Sequence, residues 1–243
     1  MKLLIDIGNT RLKWALVRDG QFIDSGAMVH DGEPARTIAQ LPASKPDAIW
    51  ISHVMGLTHE HALSEAVRSQ LVQIPNFARS SAGWHGLRNA YREPERLGVD
   101  RWLAMIAAWH THRGAACIAN AGTALTVDVI DAQGQHLGGI IAAGLAAQQS
   151  AILGTTRFEV RTTRADDGKV LGTNTESCVR QGALLACLGA IDRAANLAES
   201  GAARLITGGD ASTLQSGLSN TWHHRPNLVL EGLAACADKA GAI

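Results

Sequence analysis

The chain has 243 residues, 46% of them hydrophobic and 18% charged, with 22 Lys and Arg set against 22 Asp and Glu. At roughly 100–200 residues per domain, that is one large domain or two modest ones with a real core, not a disordered chain. The balanced charge argues against gripping nucleic acid through its phosphates, and no apolar run nears the roughly 18–20 residues of a membrane helix. Neither nucleic acid nor membrane is therefore an expected partner.

The opening MKLLIDIGNT puts Asp6 and Asn9 inside the stretch that an export signal would keep apolar, so a cytoplasmic protein is expected. Residues 3–17 read as two short strands around a Gly-Asn-Thr turn. Arg18-Asp19-Gly20 is a turn, and QFIDSGAMV offers a third strand. Residues 47–54 form an apolar strand, 58–71 have helical spacing, and 71–74 suggest another strand that Pro75 ends. From Arg92 to His112 a polar start gives way to a helix carrying Trp102, Leu103, Ile106 and Ala107, and Gly114 breaks it.

The opening pattern then returns. A shift of 114 lays Asp6, Gly8, Asn9 and Gly20 over Asn120, Gly122, Thr123 and Gly134, with Gln21 over Gln135. Strand, small Gly loop, strand and turn recur at kept spacing, which predicts two domains of related topology, residues 1–113 and 114–243, facing each other across a cleft. In the second half, Gly138–Gly139 and Gly144 flank a strand, and residues 145–153 read as helix. Residues 155–175 suggest a loop or hairpin, 178–199 a long buried helix, and 203–209 a strand ending in a Gly pair. Residues 227–230 suggest a final strand before a last helix. Cys117, Cys178, Cys187 and Cys236 lie far apart without CxxC spacing and read as reduced buried thiols.

A strand–Gly-loop–strand hairpin can aim several backbone N–H groups at anionic oxygens. Gly-Asn alone is an ordinary turn pair; two copies at matched spacing point to phosphate. The first copy adds Asp6, a carboxylate suited to a water-clad Mg²⁺ on a phosphate, with Asn9, Thr10 and Lys13 as further partners. The second offers Gly122 and Thr123. No GxxxxGK[ST], GxGxxG, GxSxG or HExxH is present. The pairs His59/His61, His110/His112 and His223/His224 have spacings that do not share a helix face, so metal ligation by them is not expected.

The segment YREPERLGVDRW, Tyr91 to Trp102, is the other chemical candidate. Asp100 either caps a helix start or serves as a general base, and Arg101 is either a surface group or a donor to a substrate carboxylate. Tyr91, the chain's only tyrosine, would line the same pocket.

Four motifs in this order resemble the type III pantothenate kinases, in the superfamily of acetate and sugar kinases, heat-shock chaperone ATPases and actin. Asp6-Ile7-Gly8-Asn9-Thr10 resembles the first phosphate motif, Gly98-Val99-Asp100-Arg101 the pantothenate motif, and Asn120-Ala121-Gly122-Thr123-Ala124 the second phosphate motif. Residues 205–209 resemble the segment bordering adenosine. The resemblance implies an α/β fold of two actin-like, ribonuclease H-like domains, and ATP-dependent phosphorylation of pantothenate, the first step of coenzyme A synthesis.

Carried over, Asp6, Ile7, Gly8, Asn9, Thr10, Arg11, Leu12 and Lys13 would hold ATP phosphates, with Asp6 near Mg²⁺. Gly122 and Thr123 would hold them from the other side. Asp100 matches the proton acceptor, and Tyr91, Gly98, Val99, Asp100 and Arg101 match the pantothenate contacts. Thr175 resembles a threonine that reaches the substrate from a neighbouring subunit, implying a homodimer. The family's second motif usually opens with aspartate; here Asn120 brings an amide oxygen but no charge to the site of the family's monovalent cation, K⁺ or NH₄⁺, and K⁺ independence is the expectation. Two other readings compete: another small-acid or sugar kinase of the superfamily, and a non-catalytic nucleotide-binding accessory protein of transcription.

Overall fold

A computed structural model describes residues 1–42, 45–155 and 170–240. The chain divides into two compact units: residues 1–113 with the segment from Asn227 onward, and residues 114–226.

In the first unit, β1 (Lys2–Ile7), β2 (Arg11–Arg18) and β3 (Gln21–Val29) form an antiparallel meander. The short helix α1 (Pro34–Ile38) leads to β4 (Ala48–His53), which pairs parallel with β1; α2 (Glu60–Leu71) then returns the chain to β5 (Asn76–Phe77) beside β4. The sheet order is β3-β2-β1-β4-β5. β1 is central and covered on both faces, so it reads as a near-continuous apolar run with Leu3, Leu4, Ile5 and Ile7 all buried. Only Asp6 interrupts it near the loop end. A small hairpin, β6 (Gly83–Trp84) and β7 (Leu87–Arg88), precedes α3 (Val99–His112), whose residues 101–109 are all buried.

The second unit repeats the plan. β8 (Ala116–Ala121), β9 (Ala124–Ile130) and β10 (His136–Ala143) form the meander, followed by α4 (Leu145–Thr155) and α5 (Thr175–Ala195). β11 (Ala203–Thr207) pairs parallel with β8; α6 (Ala211–Gln215) and β12 (His223–His224) complete the order β10-β9-β8-β11-β12. Each sheet is the mixed five-stranded sheet of an actin-like unit, with strand order and directions identical in the two.

The offset between the copies is not constant. Lys2 pairs with Val17 and Ala116 with Ile130, so the shift of 114 on the first strand becomes 113 on the second. The first Gly loop has three residues, Gly8 to Thr10, and the second has two, Gly122 and Thr123. A longer turn, closed by the Asp131 N–H on the Gln135 carbonyl, restores the offset.

Several local expectations are corrected. Residues 227–230 are not a strand: Leu228 opens the C-terminal helix Leu228–Ala240, which packs on α3 in the first unit and not in the second half. A Cβ on Gly232 would stand 1.9 Å from the Leu103 carbonyl oxygen, so this glycine lets the two helices approach backbone to backbone. A four-residue apolar run does not tell helix from strand. The strand placed at 71–74 is instead the end of α2, capped by Val72 in the left-handed conformation, and pairing starts after Pro75 at Asn76. The helix placed at 178–199 begins at Thr175, where Asn174 and Ser177 form a capping box. It is buried along one side only. All four cysteines are free, but Cys178 is exposed. Residues 156–169, most of the loop or hairpin placed at 155–175, lie outside the described residues.

Candidate active site

The first Gly loop sits at the end of β1, between β1 and β2. The Gly8 N–H donates to the Arg11 carbonyl at 3.0 Å, closing a tight turn that leaves Asn9, Thr10 and Arg11 exposed. Ile7 and Leu12 are fully buried in the core cluster, so they offer any ligand only main-chain atoms.

Asp6 lies opposite Lys13 on β2 and Ser52 on β4, three polar residues in one row across adjacent strands. The fully buried Ser52 donates its hydroxyl to Asp6 Oδ1 at 2.7 Å. Burial pushes the Asp6 carboxyl up to about 6; the Ser52 hydrogen bond and Lys13 oppose the rise, and the Asp100 carboxylate adds to it. Burial also lowers the Lys13 ammonium, against the attraction of Asp6. The interaction between Asp6 and Asp100 brings together two carboxylates that are far apart in sequence.

Asp100 occupies the first turn of α3, whose N-cap is Gly98 and carries no side-chain cap bond. The next residue, Arg101, is 4% exposed, and its Nη1 donates to the Tyr91 hydroxyl at 2.9 Å. The guanidinium also lies 5.8 Å from the Tyr91 ring centroid, so an arginine read as either surface or functional is buried against the lone tyrosine. A recess of about 330 Å³ opens beside them, lined by Tyr91, Arg92, Glu93 and Arg96. Val99 begins the helix and is half-buried.

In the second unit, Asn120 pairs with Thr126 and Thr207, so the row that reads Lys-Asp-Ser in the first copy is neutral here. The Gly122 N–H donates to the Ala124 carbonyl at 3.1 Å, and Thr123 is exposed. Two other glycines shape this loop. A Cβ on Gly144 would stand 2.1 Å from the Gly122 oxygen, and one on Gly208, at φ +100, would stand 2.2 Å from the Ala121 oxygen. No side chain fits at either place. Thr175 is exposed at the first position of α5. The sequence singles out neither Ser52 nor Gly144 for these loops: Gly144 is legible only as a strand-ending glycine, and Ser52 carries no signal before β4 pairs with β1.

Phosphate neutralisation by Mg²⁺ needs only one or two protein carboxylates, because the ion keeps waters and takes phosphate oxygens. Asp6, a hard oxygen donor at the mouth of a Gly loop, fits that donor set. Among the described residues no group of three or more His, Cys, Asp or Glu is placed to hold a metal, and no helix is long and apolar enough to cross a membrane.

The profile of the type III pantothenate kinases matches residues 2–197. A type III pantothenate kinase of Aromatoleum aromaticum is 36% identical over 250 residues, covering 100% of both chains. One of Nitrosococcus oceani is 34% identical over 249 residues, covering 98% of this chain and 94% of the relative. Among solved structures, a Campylobacter jejuni protein described as a Baf family transcriptional activator superposes with a TM-score of 0.64 at 20% identity, covering 99% of this chain and 100% of the other. A Sinorhizobium meliloti protein described as a 2-dehydro-3-deoxygalactonokinase gives 0.59 at 15% identity, covering 100% of both. At those identities the structures speak for the actin-like fold alone. The full-length sequence relatives and the matched profile say more: this chain belongs to the type III pantothenate kinase family.

Proposed function

We propose that the protein transfers the γ-phosphoryl group of ATP to the primary hydroxyl of pantothenate, forming 4'-phosphopantothenate at the start of coenzyme A synthesis. One observation supports this reading above all. Asp100, the residue matching the family's proton acceptor, opens α3 in the same unit as the first Gly loop and its carboxylate Asp6, near enough for its charge to add to the rise of Asp6.

Phosphoryl transfer asks mainly for positioning and charge neutralisation. Asp6 to Lys13 bind the ATP phosphates, chiefly through the main chain of Asn9, Thr10 and Arg11, since the Gly8 N–H is taken by the Arg11 carbonyl, and Gly122 and Thr123 form a second phosphate loop. Mg²⁺ held by Asp6 would neutralise charge on the β- and γ-phosphates. Asp100 accepts the proton of the attacking hydroxyl, a role typically worth about 10²–10⁴-fold. Tyr91 and Arg101, already joined by a hydrogen bond, present one polar edge to the pantothenate carboxylate or amide beside Gly98 and Val99. Asn120 leaves the second loop without the charge that would favour K⁺ or NH₄⁺.

The same reading includes a homodimer in which Thr175 reaches a neighbouring subunit's substrate. It is supported by apolar surface in the second unit: α4 has no buried residue, and Leu137, Ile141, Ile152 and Leu185 are all exposed. Free thiols at all four cysteines agree with a cytoplasmic location.

Coupled ADP release with pantothenate present and absent tests the function. Pantothenate-dependent release is expected. Release that answers instead to a sugar or another small acid would assign a different kinase, and nucleotide binding without turnover of any acid would assign the accessory protein.

A further inference from the structure

We infer that His30 is a positioning residue of the first phosphate loop, holding its carbonyls back so that its N–H groups face the nucleotide. The inference rests on residues 6–13 being the ATP phosphate site.

His30 follows β3 and is 3% exposed. It grips the loop twice. Its main-chain N–H donates to the Thr10 carbonyl at 3.3 Å, and its ring Nε2 lies 2.9 Å from the Gly8 carbonyl oxygen. A carbonyl only accepts, so Nε2 carries the proton. The other ring nitrogen, Nδ1, accepts from the Gly32 N–H at 3.2 Å, which fixes the neutral Nε2–H tautomer. In a planar trans peptide the C=O and the following N–H point in opposite directions. Tying down the Gly8 oxygen therefore turns the Asn9 N–H away from His30, and tying down the Thr10 oxygen does the same for the Arg11 N–H.

The second copy shows why a ring is needed. Position 144 is the counterpart of position 30: the Gly144 N–H donates to the Thr123 carbonyl at 3.1 Å, as the His30 N–H does to Thr10. There the two-residue loop lies directly on the backbone, with the Gly122 oxygen where a Cβ would be. The first loop has one residue more, and its Gly8 oxygen is met by the far nitrogen of the His30 ring. One copy fixes the loop by glycine contact, and the other spans the longer distance with an imidazole.

The amide nitrogen of Gln imitates Nε2 and the amide oxygen of Asn imitates Nδ1, so two variants separate the two ring contacts. H30Q keeps a donor for Gly8; H30N keeps only the acceptor for Gly32. Direct MgATP binding to the full chain, read by displacement of a fluorescent ATP analogue, is the measurement. It does not depend on which acceptor is phosphorylated. H30N is expected to bind MgATP roughly tenfold more weakly and H30Q within about threefold of the wild type, the weight of one hydrogen bond. Steady-state kinetics should show the same split in the ATP KM with the pantothenate KM unmoved, and thermal midpoints of the two variants should agree. H30N binding as tightly as the wild type, or H30Q binding as weakly as H30N, would overturn the inference alone. A wild type that binds no MgATP would overturn it together with the assignment of residues 6–13.

Discussion

Asp100 Oδ1 lies 2.7 Å from the point where a Cβ on Gly98 would stand. Gly98 has φ −53 and ψ 128, a conformation open to any residue, so backbone freedom is not the reason for glycine here. The room it leaves is taken by the carboxylate.

Gly98→Ala should therefore move the Asp100 carboxylate while leaving the fold intact. Beyond the Asp100 carboxylate the nearest atom to the new methyl is Arg101 Cδ at 3.8 Å, an ordinary contact, and a Gly-to-Ala change at an N-cap costs under about 1 kcal/mol. We expect kcat to fall about tenfold or more with a thermal midpoint within a few degrees of the wild type. Turnover equal to the wild type would mean that the carboxylate's observed place has no bearing on the reaction.

Asp100→Asn removes the proposed proton acceptor and keeps the shape. A loss of at least about a hundredfold in kcat is expected, with MgATP still bound. The change also removes one of the influences that raise Asp6, so MgATP binding should persist to lower pH than in the wild type. Near-full turnover in this variant would end the general-base assignment.

Asp6 ties stability to pH with an unusual sign. Its carboxyl moves from the ordinary 3.8 up to about 6 in the folded chain, so the folded state holds the proton more tightly than the unfolded one. The stability that this proton contributes is full below about 3.8 and is lost as pH rises through about 6. At pH 8 the buried charge costs about 2–3 kcal/mol. Asp6→Asn should then unfold at a higher temperature than the wild type at pH 8 and at nearly the same temperature at pH 4, while losing its response to Mg²⁺. In the wild type, MgATP binding should weaken as pH falls through about 6. Equal melting of the two proteins at both pH values would show that Asp6 is not held at a cost.

What could be read from sequence divides along a physical line. The Gly loops, the Asp100–Arg101 pair and the duplication rest on residue type and local spacing, which a sequence carries openly. The groups that tune them do not. Ser52 reaches Asp6 across 46 residues and His30 reaches Gly8 across 22, and neither is special until strand pairing sets its register. The offset of 114 is legible at both ends of the repeat, but the residue dropped in one loop and regained in the next turn is visible only in the pairing. The run Asn227-Leu228-Val229-Leu230 misleads because its helical identity comes from packing on α3 at Gly232, not from its own pattern.

Asp6 stands between Lys13 and Ser52, whereas Asn120 stands between Thr126 and Thr207. An amide oxygen and two hydroxyl-bearing neighbours can solvate a cation but do not add the Coulomb attraction of a carboxylate, and K⁺ held by neutral oxygens alone competes poorly with its own hydration. Replacing K⁺ with Na⁺ at constant ionic strength should leave the rate within about twofold. Asn120→Asp restores the charge at the strand end and should make the rate respond to K⁺ over Na⁺. A strong K⁺ requirement in the unaltered chain would mean that neutral oxygens suffice at this loop, and that the missing charge does not decide cation use.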